Sequence, residues 1–238
     1  MYHPFSIKET LFMAWKVIRE NFMTVILFSA IISVIQIFVI PFIYLIVFDP
    51  KNVYTNLFIG VPLLLLMAAS TLSLYKLIFV LIDQEFYEFE FRQILPRFRN
   101  VYRVAIIGFI IAAGAVFFQV GMQQLDQISH AVAVIVNITS VIATFYIGLR
   151  LQFTFCYILD DDSTIREAMM QSVELTRNNS WNMFLLFLIV VGLVALGFIT
   201  FVIGIVFTYP FVNTLLVVSY RRLAYSKQDV DDQVTEMY

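Results

Sequence analysis

Long apolar runs alternate with short polar connections along most of the chain. An α-helix rises about 1.5 Å per residue and needs roughly 20 apolar residues to cross the hydrocarbon of a bilayer. The last run, Trp181 to Tyr220, is about twice that length and predicts a hairpin near Gly197 to Gly204. Six membrane crossings follow, at about 22–48, 57–82, 101–118, 131–159, 181–198 and 203–223.

Basic residues fall almost entirely on one side of these crossings. Cytoplasmic connections of membrane proteins retain lysine and arginine. Only Lys51 lies in the connections of the opposite side. Both termini are therefore predicted to be cytoplasmic, which an even number of crossings permits. The residues on the predicted cytoplasmic side are Lys8, Lys16, Arg19, Arg92, Arg97, Arg99, Arg103, Arg166, Arg177, Arg221, Arg222 and Lys227.

Amphipathic patterns precede the first and fifth crossings, at about 5–20 and 163–178. Each begins with capping-box spacing, Ser6 with Glu9 and Thr164 with Glu167, which is typical of a helix start. Apolar residues then recur on one face, as expected of helices that lie in the membrane interface. The predicted interfacial faces consist of Ile7, Leu11, Trp15 and Ile18 in the first segment and Ile165, Met169 and Val173 in the second.

The two amphipathic segments match each other at an offset of 158, where Arg19 meets Arg177 and Asn21 meets Asn179. Half that offset reaches a weaker copy at about 86–99, although Pro96 would interrupt a helix there. The spacing predicts an all-α integral membrane protein with three repeats, each an interfacial helix followed by a transmembrane hairpin. Residues 1–225 would form one membrane domain, and residues 226–238 an acidic, disordered tail.

Composition supports lipid as the solvent. Hydrophobic residues make up 61% of the chain and charged residues 13%, against about 25% charged residues in a soluble domain. The net charge of −2 and the scattered basic groups argue against a nucleic-acid surface. Cys156 is the single cysteine, so no internal disulfide can form. The first twenty residues lack a signal-peptide pattern, and the first crossing is expected to direct insertion.

Four short motifs carry a resemblance to a known family. They are residues 5–9 (Phe-Ser-Ile-Lys-Glu), residues 167–172 (Glu-Ala-Met-Met-Gln-Ser) with Trp181 after them, Tyr209-Pro210, and residues 220–223 (Tyr-Arg-Arg-Leu). Together they resemble the bacterial six-helix membrane family that includes the membrane domain of some glycerophosphoryl diester phosphodiesterases. In the fused members of that family the resemblance assigns the chemistry to a separate soluble barrel. We therefore expect a membrane module without enzymatic activity.

Arg150 is the deepest charge in the predicted crossings, about ten residues before Asp160. A charge at such depth is costly and often marks a site or a pathway. Arg150 either snorkels or pairs inside the bundle, aided by Gln152, or it binds a lipid phosphate or another anion. Lys76 is the third member of this candidate intramembrane polar or anion site, although it is within reach of the cytoplasmic headgroups, which favours snorkelling.

Three consecutive carboxylates, Asp160, Asp161 and Asp162, are the sharpest acidic cluster in the sequence. They are compatible with a cation site, but carboxylates at a helix start also suit a simple N-cap, which we favour.

Catalytic patterns are missing from the sequence. It contains no paired cysteines, no His-x-x-x-His spacing, no glycine-rich phosphate loop and no Gly-x-Ser-x-Gly elbow. We expect no cofactor, metal or nucleic-acid partner. The leading hypothesis is an inner-membrane module that binds or organises lipids or partner membrane proteins at the cytoplasmic face. The alternative is a small transporter, channel or lipid scramblase with Arg150 in its path.

Overall fold

The computed structural model describes residues 6–47, 53–83, 94–177, 179–199 and 201–235, and within these ranges the regular elements are all helices. In chain order they are α1 (Ile7–Glu20), α2 (Phe22–Val34), a π-helix (Ile35–Val39), α3 (Ile40–Val47), α4 (Val53–Asp83), α5 (Phe98–Ile128), α6 (His130–Leu151), α7 (Thr154–Asp160), α8 (Ile165–Arg177), α9 (Ser180–Ile199) and α10 (Phe201–Thr235).

Five helical segments of the described chain are long and apolar enough to cross a membrane. The protein is therefore an all-α, multi-pass membrane protein. The sixth predicted crossing falls within α10, and the count of six stays a prediction. The five segments are Phe22–Val47, Phe58–Asp83, Phe98–Ile128, His130–Asp160 and Ser180–Gly197.

The first crossing, predicted as one segment, is interrupted just before Pro41. Pro41 lacks the N–H that would bond to the carbonyl four residues earlier, and its ring crowds the preceding turn. The helix widens to a π-helix over Ile35–Val39, immediately before this proline. A π-helix is a recognised way to absorb such a disruption and often lies at a functional position.

Two other predicted boundaries differ from the structure. Residues 119–128, predicted as a polar connection, continue α5, because their glutamines, methionine and leucine favour helix. Only Ser129, with extended backbone, separates α5 from α6. The fourth crossing was predicted as one helix but ends as α6 at Leu151, and α7 begins at Thr154 after a turn.

Helices α4 and α10 contribute much of the protein core. Tyr220 of α10 is almost fully buried and lies edge-on to Phe79 of α4 (5.8 Å between ring centroids) and to Tyr157 of α7 (4.9 Å). Phe153, also buried, packs against the same ring. These contacts join α4, α7 and α10 at the ends that charge counting assigned to the cytoplasm.

The two amphipathic helices each pack against an earlier or later membrane helix. Helix α1 packs on α10 and α2, whereas α8 packs on α6 and α7. Their buried positions agree at the offset of 158, since Thr10, Ala14 and Ile18 correspond to Ala168, Ser172 and Thr176. This agreement is compatible with the predicted repeat, which remains a prediction. Residues 86–93 of the predicted third amphipathic segment lie outside the described residues.

The two predicted capping boxes differ in outcome. Thr164 N–H donates to the Glu167 carboxylate (3.0 Å), and the Thr164 hydroxyl donates to the same oxygen (2.8 Å). Ser6 precedes α1 but makes no side-chain cap bond, and the Glu9 carboxylate pairs with Arg222 of α10. Arg222 also reaches the Ser6 carbonyl and the Thr10 hydroxyl. An ion pair to another helix thus replaces the local box.

Candidate functional site

The break between α6 and α7 is held by a side chain from α8. Ser172, fully buried on α8, donates its hydroxyl to the Arg150 carbonyl (2.7 Å) and accepts from the Phe153 N–H (3.2 Å). The break leaves backbone N–H and C=O groups without helical hydrogen-bond partners, and lipid cannot replace those partners. Each such group left unsatisfied in hydrocarbon costs roughly several kcal/mol. Ser172 supplies the missing partners, so α8 is locked against the end of α6.

Arg150 therefore lies in the last turn of a helix rather than within a continuous crossing. Its guanidinium carbon is 5.1 Å from the centre of the Tyr146 ring, one turn earlier, in cation–π geometry. The Nη1 atom is buried and has no hydrogen-bond partner among the described residues. A buried donor of a charged group that lacks a partner is costly, which indicates capacity to bind an acceptor.

A groove of about 410 Å³ opens beside Arg150, between α6 and α8. Two arginines from different helices, Arg150 and Arg177, line it together with apolar side chains. Within the described chain, neither arginine forms an ion pair with a carboxylate. The lining residues are Tyr146, Ile147, Arg150, Leu151, Val173 and Arg177.

Lys76 and Gln152, which the sequence suggested as companions of Arg150, are engaged elsewhere. Lys76 Nζ donates to the Leu95 carbonyl (2.7 Å), in the segment that leads into α5. Gln152 Nε2 contacts the sulfur of Met183 on α9 (3.1 Å). Neither lines the groove. The sequence missed Arg177 as the second cation of this site, because residues 27 positions apart meet only through the packing of α8 on α6.

The predicted interfacial faces divide between protein and surroundings. In α1, Ile18 is buried, Ile7 and Leu11 are half-buried, and Trp15 is 55% exposed while touching Phe211 of α10. In α8, Ile165 and Met169 are half-buried, and Val173 is exposed at the groove.

The acidic cluster is an ion-pair centre, not the predicted helix N-cap. Asp160 ends α7 and accepts from Tyr220 and Arg221, and Arg221 also pairs with Asp83 of α4. A carboxylate at a helix C-terminus is repelled by the negative end of the helix dipole. The positive charge of Arg221 offsets this repulsion at Asp160. Burial, with Asp160 beside it, raises the pKa of Asp161.

Asp162 adopts a left-handed backbone conformation (φ 53°) and binds three arginines that precede or begin α5, namely Arg97, Arg99 and Arg103. Arg103 also donates to the Asp162 carbonyl (2.7 Å). This cluster ties the start of α5 to the connection between α7 and α8. The described residues contain no group of three His, Cys, Asp or Glu arranged to hold a metal ion.

A second polar cluster joins three membrane helices at the π-helix. Gln36 Nε2 donates to the hydroxyls of Ser70 and Thr71 on α4 (2.9 Å each), and Tyr209 of α10 donates to Gln36 Oε1 (2.9 Å). These hydrogen bonds give Gln36, Ser70 and Thr71 a role in packing the helices together. The role of Tyr209 was not predictable, because its partner lies 173 residues away.

Part of the chain is similar to a known family of membrane domains. Residues 125–225 match the family model described as the membrane domain of glycerophosphoryl diester phosphodiesterase. The match confirms the resemblance that the sequence motifs suggested. The segment similar to this membrane domain contains every residue that lines the groove, together with Asp160 and Tyr220. No curated protein and no solved structure matches the chain.

The motifs of that resemblance have structural roles here. Glu167 caps α8, Ala168 is buried, and Ser172 closes the break between α6 and α7. Tyr209 binds Gln36, and Tyr220 packs at the core. These motif residues therefore stabilise the contacts between helices. The ones named here do not form a catalytic arrangement with one another.

Proposed function

We propose that the protein is a non-enzymatic module of the bacterial inner membrane that binds lipids, or organises partner membrane proteins, at the cytoplasmic face. The observation that carries the proposal is the outer surface of α1. Phe12 (69% exposed) and Trp15 (55% exposed) lie on a helix that also carries exposed Lys16 and Glu20. A helix with apolar and charged groups side by side is suited to the membrane interface.

Helix α8 supports the same proposal. Met170 and Val173 are exposed beside charged Arg166 and Arg177, while Ala168 and Ser172 face the protein. Both helices are held against membrane helices, α1 by Arg222 and α8 by Ser172. They would therefore present fixed apolar surfaces to headgroups. The similarity to a membrane domain, rather than to a catalytic domain, also favours a role without chemistry.

The experiment is lipid and partner retention after gentle extraction. The parent protein, a Phe12→Glu/Trp15→Glu double variant and a Lys16→Gln control on the same helix are extracted into lipid nanodiscs. Native mass spectrometry and cross-linking then measure bound lipids and proteins. We expect the double variant to lose retained lipid or partner, and the control to keep it. A parent protein that retains no specific lipid or protein would contradict the proposal.

Buried polar atoms without partners in the described part of the first crossing, together with Arg150, favour a second candidate function as a transporter, channel or lipid scramblase. The hydroxyls of Ser29 and Ser33 are buried on α2, in the first crossing, and have no hydrogen-bond partner in the described structure. Polar groups inside a membrane bundle can mark a pathway. Flux in liposomes, compared between the parent, Gln36→Leu and Arg150→Ala, tests this alternative. Absence of flux in the parent would remove it.

A further inference from the structure

The groove between α6 and α8 has a chemistry that goes beyond general interface binding. We infer that it binds the phosphate of a membrane phospholipid between Arg150 and Arg177, with an acyl chain along α6. The inference rests on the proposed function and names the ligand class of one site. Guanidinium groups suit phosphate because their planar N–H donors match its oxygens.

Charge supports an anion at this site. Arg97, Arg99, Arg103, Arg221 and Arg222 all pair with a carboxylate. Arg150 and Arg177 lack such a partner among the described residues although they line one groove. The buried Nη1 atom of Arg150 has no acceptor there. A phosphate oxygen would supply it.

The apolar surroundings favour a lipid over free phosphate. Ile138, Ile142 and Tyr146 are more than half exposed and recur every four residues, so they form one stripe that ends at Arg150. From Ile138 to Arg150 the helix rises about 18 Å, close to the roughly 15 Å of hydrocarbon in one leaflet. An acyl chain laid along this stripe would bring its headgroup to the two arginines.

The geometry of the break explains why the site lies at this depth. Because α6 stops at Leu151, Arg150 occupies the last turn of a helix and faces α8. Ser172 fixes the Arg150 backbone, and Arg177 lies slightly more than one turn further along α8. Both arginines are thus held by helices that are locked together, so the site does not have to be assembled on binding.

The test compares the parent with Arg150→Gln and Arg177→Gln. Arg166→Gln serves as the control, because Arg166 is exposed on α8 and does not line the groove. Purified protein in neutral detergent is titrated with short-chain phosphatidylglycerol, with diacylglycerol of the same chains, and with inorganic phosphate. Binding is measured by native mass spectrometry and by the shift in melting temperature.

We expect the parent and the control to bind the phospholipid, and each groove variant to bind it about tenfold or more weakly, the range for a charge-assisted hydrogen bond. Equal binding by parent and groove variants would overturn the inference. Equal stabilisation by inorganic phosphate and the phospholipid would overturn the assignment to a lipid, as would equal binding of diacylglycerol.

A second variant tests the groove independently, in case the arginine variants do not fold. Val173→Trp keeps both guanidinium groups and fills the groove with a bulky side chain, since Val173 is an exposed lining residue. We expect it to lower phospholipid binding while the protein stays monodisperse, and unchanged binding would count against the groove. Lipid still retained by all groove variants would defeat this inference alone, whereas no retained lipid in the parent would defeat the proposed function as well.

Discussion

Gln36 shows how one amide can join three membrane helices. Both ends of its side chain are used, the nitrogen toward α4 and the oxygen toward Tyr209 of α10. The widened turn of the π-helix, in which Gln36 lies, precedes Pro41. In hydrocarbon such groups have few alternative partners, although measured contributions of single interhelical hydrogen bonds average only about 0.6 kcal/mol.

Replacing Gln36 with leucine should lower the free energy of unfolding by about 1–2 kcal/mol, because three hydrogen bonds are lost and the Tyr209 hydroxyl is left without its acceptor. Reversible unfolding of the protein in mixed micelles measures the change. Gln119→Leu is the matched control, since Gln119 is exposed on α5. Equal effects of the two substitutions would contradict a structural role for the Gln36 cluster.

Glu167 gives a pH dependence of known sign. The backbone N–H and hydroxyl of Thr164 lower the pKa of Glu167 below its usual value. The folded state therefore favours the carboxylate, and this stabilisation is present above the usual pKa of about 4.3 and is lost as pH falls through the lowered value. Burial raises the pKa of Asp161, so that neighbour contributes in the opposite direction.

We expect Glu167→Gln to lower the melting temperature at neutral pH and to differ little from the parent at acidic pH, where Glu167 is protonated. Glutamine keeps the capping geometry without the charge. Melting curves of both proteins across this pH range provide the measurement. A difference that grows toward acid would show that the sign is wrong.

At the scale of the element, Ser172 decides how α6, α7 and α8 fit together. Its hydroxyl serves both sides of a helix break, and it is fully buried. The capped start of α8 at Thr164 and the ion pairs of Asp162 fix the other end of the connection. Helix α8 therefore holds α6 and α7 together, in addition to its proposed role at the membrane interface.

Ser172→Ala should destabilise the protein by about 1–3 kcal/mol, because the Arg150 carbonyl and the Phe153 N–H lose a buried partner. It should also weaken phospholipid binding in the groove, since Arg150 is no longer held. The control is Ser140→Ala, whose hydroxyl bonds only within its own helix. The free energy of unfolding in mixed micelles is measured for both variants, and equal values would argue against this role of Ser172.

Across the whole molecule, burial is uneven. The span Phe58–Asp83 of α4 is the most enclosed of the five, with 44% of its most apolar stretch buried. The corresponding stretch of His130–Asp160 is only 6% buried. The α5–α6 hairpin accordingly presents most of its length to its surroundings. The described core concentrates at the ends of α4, α7 and α10, where Tyr220 and Arg221 lie.

The sixth crossing can be decided by cysteine labelling in intact cells. Cys156 is fully buried, so the native thiol should give little background. We expect cysteines at Lys16 and Lys227 to be protected from an impermeant maleimide, and a cysteine at Gln127 to react. Labelling at Lys227 alongside Gln127 would instead show five crossings and an external C-terminus. Cys156→Ser with no added cysteine is the background control.

Hydropathy, charge and capping spacing along the sequence determined the membrane class, the approximate positions of five spans and the capped amphipathic segment at Thr164, because these depend on neighbouring residues. They also identified Arg150 as a candidate from its depth alone. The position of Arg177 beside the same groove as Arg150 depended on packing between distant helices. So did the partners of Glu9 and Tyr209 and the break after Leu151. The local sequence shows which polar groups would be costly to expose to lipid. Only the tertiary structure decides which distant side chain forms a hydrogen bond or ion pair with each of them.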